Sequence, residues 1–216
     1  YDYPLNLEDQ LFKYGIRIQP NLVLDLECSR IPLRVGNMGS AAQFDQFPWF
    51  YYPLVSPYSS HPIVKNLDRI FLQFPSSIDT IRTKSNLKKT VLLASSKYSR
   101  VQFTPANVNF EILRYQPDPT KFNKPHQPLA VLLEGTFNSN FENRVSSEME
   151  ASLKEMGMPY KSSSVDTKML VVADGDIVAN MVGKDGSPKP LGFNKFENRV
   201  YSSNKDFLLN TIEYML

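Results

Sequence analysis

LAVLL, Leu129 to Leu133, is an unbroken apolar run closed by Pro128 before it and Glu134 after it. It is too short for a buried helix and suits a strand covered on both faces. MLVVA, Met169 to Ala173, and KTVLLAS, Lys89 to Ser95, read the same way. Three such strands with few helical segments between them predict an α/β fold. The expected architecture is a mixed sheet flanked by helices, with additional β-structure in the first half of the chain.

The helices are signalled by their ends. Asn6 is placed to cap a first helix, with Asp9 three residues on, Leu7, Leu11 and Tyr14 as the apolar stripe and Gly15 just past the end. Ser147 and Glu150 frame a second capping box, followed by Met149, Leu153 and Met156 at helical spacing and by Gly157. In the last stretch, Asn204 to Leu216, Asn204 is the expected cap and Asp206 suits the first turn. Leu208, Leu209, Ile212, Met215 and Leu216 form its expected apolar face. Leu22 to Glu27 and Arg69 to Phe74 alternate as strands, and Ile31 to Val35, interrupted by Pro32, reads as an edge strand. The expected organisation is a single α/β domain over residues 1–216 with a β-rich insertion near residues 28–80. FENRV occurs twice, at Phe141 to Val145 and Phe196 to Val200, which suggests two similarly built loops and no repeat architecture.

Composition removes several functions. The chain has 216 residues, 42% of them hydrophobic and 21% charged, an ordinary globular balance. Its 24 basic and 22 acidic residues leave +2, too little to mark a nucleic-acid binder. One cysteine excludes an internal disulfide framework and a multi-cysteine zinc site, and two histidines offer little for metal ligation. Gln46 to Val64 carries no charge, but Pro48, Pro53, Pro57 and Pro62 interrupt it, so it does not read as a membrane helix. The chain opens at Tyr1 without a Met or a signal peptide, as expected of a piece excised from a longer protein.

No nucleophile elbow, phosphate loop, dinucleotide fingerprint or zinc-protease motif occurs. The expectation is a protein without catalytic residues, metal or cofactor. Cys28 with His61 or His126 is weighed as a nucleophile–base pair against a buried structural thiol, the commoner state of a lone cysteine. Asp174 and Asp176 follow a buried strand, where ligand sites of open α/β sheets gather. Two carboxylates so close suit a hard cation, yet Asp-Gly equally suits a turn. Between Thr80 and Phe110 stand Arg82, Lys84, Lys88, Lys89, Lys97 and Arg100 with no acidic residue, a cationic face or a solvated loop. The aromatic PWFYYPL, Pro48 to Leu54, is either a recognition surface or a plug at the core edge. The residues selected as ligand- or partner-binding are Trp49, Tyr51, Tyr52, His61, Asp174 and Asp176.

Several long segments in one order carry a resemblance. KYGIRI (Lys13 to Ile18), DLECSRIPL (Asp25 to Leu33), QFPWFYYPL (Gln46 to Leu54), SSHPIVKNLD (Ser59 to Asp68) and KTVLLASSKYSR (Lys89 to Arg100) are similar to the GldG family. So are LAVLLEGTF (Leu129 to Phe137), TKMLVVADGDIVAN (Thr167 to Asn180) and NKDFLLNTIEYML (Asn204 to Leu216). GldG proteins are auxiliary, substrate-binding-type components of the gliding-motility ABC transporter. The resemblance implies a domain outside the cytoplasmic membrane, at its periplasmic face, anchored by segments absent from this chain. It implies a permease and an ATPase as partners, no catalytic residues, and a glutamine-amidotransferase-like or flavodoxin-like α/β fold. The alternative function is a small-molecule or glycan-binding module, or a lapsed hydrolase. An aromatic-walled cavity in which Trp49, Tyr51 or His61 meets Asp174 or Asp176 would favour it.

Overall fold

The computed structural model describes residues 6–83 and 86–216, so Lys84 of the basic stretch lies outside the described residues. Along the chain run α1 (Glu8–Lys13), β1 (Ile16–Ile18), β2 (Asn21–Asp25), β3 (Cys28–Met38) and β4 (Ala41–Val55). Next come β5 (Ile70–Phe71), β6 (Ile78–Thr80), β7 (Lys88–Ala94), β8 (Ser99–Phe103) and β9 (Pro128–Asn138). The chain finishes with α2 (Ser147–Glu155), β10 (Ser163–Val172), β11 (Phe193–Asn194), β12 (Arg199–Val200) and α3 (Ser203–Met215).

The three apolar runs meet in one sheet, ordered β10–β9–β7, with LAVLL in its centre. Every residue from Leu129 to Leu133 is fully buried. Val131 and Leu133 pack on one face with Tyr14, Ile16, Ile78 and Phe137. Ala130 and Leu132 join Ile63, Ile70, Leu92, Leu93 and Phe207 on the other. Burying such a side chain contributes about 1.5–3 kcal/mol, so this double-sided layer is the main source of stability.

The chain is mixed α/β, but its strands are spread over several small sheets. Besides the central one there are β1–β6, β2–β8, β11–β12 and β3–β4–β5. Every strand pair among the described residues is antiparallel. The resemblance implied doubly wound neighbours, which would need parallel strands joined by helical crossovers.

Ile31 to Val35 belongs to a far longer strand than its proline suggested. β3 and β4 form a two-stranded ribbon in which Pro32 sits opposite Gln46. Residues 34–37 and 39–46 are exposed, so the far half of the ribbon is solvated on both faces. Its near half carries Trp49, Phe50 and Tyr51 into an aromatic cluster with Leu24, Ile31 and Phe122. The plug reading of PWFYYPL therefore holds for these rings.

The helix ends differ from expectation in informative ways. Asn6 does not cap α1; its φ is +56° and the cap position falls on Leu7. Gly15 does follow α1, at φ +82°, the left-handed position that glycine takes without strain. The cap of α2 is Ser146, whose Oγ accepts the Met149 N–H at 3.2 Å, and no residue of that helix is buried. Its methionine stripe faces solvent.

α3 is rotated away from the face that its leucines predicted. It buries Ser203, Asn204, Phe207 and Thr211, while Leu209, Ile212, Met215 and Leu216 are exposed. The rotation is set by hydrogen bonds. Ser203 Oγ accepts the Asp68 N–H at 2.9 Å, and Asn204 is bonded to the backbone of Phe71. Residues 204, 207 and 211 follow one another at helical spacing, so fixing the first turn aims the rest. Both FENRV segments place their asparagine in the left-handed region, Asn143 at φ +62° and Asn198 at φ +48°.

Candidate functional site

Ala173 ends the third apolar run at a junction. Its N–H donates to the Leu129 carbonyl and its carbonyl accepts the Ser76 N–H, both at 3.0 Å. Asp174 follows, largely buried. Its Oδ2 accepts the Gln73 N–H at 2.7 Å and its Oδ1 the Asp176 N–H at 2.9 Å. One carboxylate thus joins the chain after β5 to the single-turn helix Gly175–Val178. Burial pushes the Asp174 carboxyl up to about 6, against the opposing pull of the two N–H donors. Asp176 is exposed.

This is the turn reading of Asp-Gly. The described residues hold no cluster of three or more side chains suited to a metal ion. The cleft beside Asp174, lined by Phe71, Gln73, Asp176, Phe193 and Asn204, measures about 10 Å³, space for one water.

The other selected residues occupy different surroundings. Trp49 packs its ring 5.1 Å from Tyr51 and 5.4 Å from Phe110 inside the aromatic cluster. The Tyr51 hydroxyl leaves that cluster to donate to Gln102 Oε1 at 2.8 Å. His61 lies in a turn, its Nδ1 accepting the Ile63 N–H at 3.3 Å and its ring 4.6 Å from that of Tyr214. Burial moves its pKa down from the ordinary value. Trp49, Tyr51 and His61 do not converge on the acidic corner. Tyr52 comes nearest to it. Its ring meets Phe71 and Phe74 edge-on at 5.6 and 5.2 Å, and its hydroxyl pKa is raised by burial and then by the charge of Asp176.

Cys28 is half-buried, and its thiol is pushed up to about 12, first by burial and then by the negative charge of Asp25. The charged groups acting on it are Asp25, Arg30 and Glu197, with no histidine among them. The basic residues of the Thr80 to Phe110 stretch are also dispersed. Lys88 pairs with Glu134 at 3.1 Å, Lys89 donates to the Ile81 carbonyl, and Lys97 lies over the Tyr98 ring.

What sequence reasoning passed over is the side of β10. Among the described residues this strand pairs only with β9. Because Ala173 donates to Leu129, Val171 and Met169 bond towards β9, and Leu170 and Val172 turn their backbone N–H and C=O to the open side. Alongside runs a groove of about 580 Å³, lined by Leu170, Val172, Ile177, Val178, Ile212 and Met215 and starting at Asp174. Val178 and Ile212 are 55% and 48% exposed, so the groove presents apolar surface to any partner. The signal in the sequence was the surplus of apolar residues in α3, more than one buried face requires.

No described helix is long and apolar enough to cross a membrane. No curated protein and no solved structure matches the chain. A family model described as "ABC-type uncharacterized transport system" matches residues 2–211, nearly the whole length. The chain therefore belongs to this family, that of an auxiliary component of an ABC-type transport system.

Proposed function

We propose that the chain is a non-catalytic binding or coupling domain of an ABC transporter. It works outside the cytoplasmic membrane at the periplasmic face, alongside a permease and a separate ATPase. On this reading ATP hydrolysis lies outside these 216 residues, which carry no phosphate-loop motif. The likeness to GldG motifs adds gliding motility as the process and a substrate-binding role as the finer assignment. The observation that carries the proposal is the apolar groove on the open side of β10. A sheet edge with unpaired backbone groups beside apolar side chains suits an added strand or an apolar segment of another transporter component.

The test is recovery of partners from native membranes with the chain as bait. The wild type is expected to bring down transporter subunits, and Val178→Glu and Ile212→Glu are expected to lose them while melting normally. Repeated failure of the wild type to recover a permease or ATPase would sink the proposal.

A further inference from the structure

A second groove, of about 690 Å³, lies along the β2–β8 pair. Its lining includes Gln19, Asp79, Arg100, Lys121, Asn123 and Lys124. Three of these are cationic. The one carboxylate among them, Asp79, is engaged by the side-chain amide of Gln19.

Arg100 is the unusual member. Its guanidinium stands 5.2 Å from the centroid of the Phe122 ring. Its Nε is buried and has no hydrogen-bond partner. Among the described residues no salt bridge includes it. A buried donor left unpaired is unfavourable, and a charged one more so. The chain retains this one at the wall of a groove.

The loop around it is built to keep two further cations in place. Phe122 is buried against Phe50, the rings 5.5 Å apart, while Lys121, Asn123 and Lys124 on either side are exposed. The Lys124 N–H donates to the Ser99 carbonyl at 2.9 Å, and Ser99 Oγ donates to the Lys124 carbonyl at 2.6 Å. The loop is thereby tied to the strand that carries Arg100. A guanidinium whose Nε is unpaired, lining one groove with two ammonium groups and an amide, is matched to an oxyanion.

We propose that this groove binds a small oxyanion-bearing ligand, a phosphate or a carboxylate, with Arg100 as its principal contact and Lys121 and Lys124 as supporting charges. The groove volume fits a molecule of metabolite size. The site stands on its own chemistry and does not depend on the docking of transporter subunits at β10.

The test is titration of the Arg100 Nε–H and backbone amide NMR signals at low ionic strength. The probes are inorganic phosphate and malonate, with sodium chloride at matched ionic strength as the control. Saturable shifts at Arg100, Asn123 and Lys124 are expected with one or both probes. The stronger probe tells phosphate from carboxylate. Arg100→Met keeps the apolar stem against Phe122 and should weaken binding about tenfold or more, the loss of a charge-assisted hydrogen bond. Arg100→Lys should lose part of this, and Lys154→Met, on α2, should change nothing. Native melting of each variant guards against unfolding. Shifts no larger than with chloride, or binding indifferent to both Arg100 variants, would overturn the proposal. So would binding seen only with phosphatidylglycerol vesicles, which would make the surface a lipid contact.

Discussion

Asn204 holds the backbone of Phe71 in both directions. Its Oδ1 accepts the Phe71 N–H at 2.9 Å and its Nδ2 donates to the Phe71 carbonyl at 2.7 Å. The side chain thus acts as a one-residue extension of β5 and ties α3 to the sheet. Both partners are buried, so truncation leaves two backbone groups dry and unpaired. Asn204→Ala should destabilise the protein by about 3 kcal/mol, and Asn204→Asp should fail to rescue it, because a carboxylate cannot donate to the carbonyl. Chemical denaturation measures both. A loss no larger than that of an exposed α3 residue would show that the helix is held elsewhere.

The Asp174 carboxyl should make stability fall as pH rises. Its folded pKa of about 6 lies above the ordinary 3.8, so its favourable contribution is complete below 3.8 and is lost as pH rises through about 6. A shift of this size corresponds to on the order of 3 kcal/mol. Asp174→Asn lacks this titration, although its single acceptor leaves the Gln73 or the Asp176 N–H unpaired. The stability difference between wild type and variant should therefore shrink with rising pH across that interval. A difference flat from pH 4 to 7 would disprove the assignment.

Cys28 should be nearly inert. Moving the thiol from 9.0 to about 12 lowers the thiolate fraction at neutral pH by roughly a thousandfold. Iodoacetamide should alkylate the native protein correspondingly more slowly than the unfolded chain, and Cys28→Ala should leave partner recovery intact. Fast native labelling would reopen the thiol as a reactive group.

The β3–β4 ribbon should divide sharply in its tolerance. Phe44, 58% exposed, lies in the solvated half, whereas Phe50, 2% exposed, packs on Phe122. Phe44→Ser should change stability by no more than about 0.5 kcal/mol, and Phe50→Ala should cost about 3–5 kcal/mol. Equal effects in thermal melts would mean that the far half of the ribbon is covered in solution.

The three apolar runs were legible because four or five consecutive apolar residues between polar brackets have few alternatives to a doubly covered strand. Their union in one sheet followed from having nowhere else to bury. The Asp174 turn was also readable, since Asp-Gly after a strand satisfies its own backbone. Hidden from local reading were pairings between residues far apart in sequence. Pro32 did not shorten β3, because Gln46 and its neighbours supplied a partner strand. Asn204 looked like a helix cap because capping is local, whereas its actual partner, Phe71, is 133 residues away. That single bond pair turned the apolar face of α3 outward and opened the groove along β10. In the same way Phe122 drew Lys121 and Lys124 to Arg100, which no spacing announces. Apolar periodicity determines what must be buried; only the folded chain decides which neighbour buries it, and so which surface is left to bind.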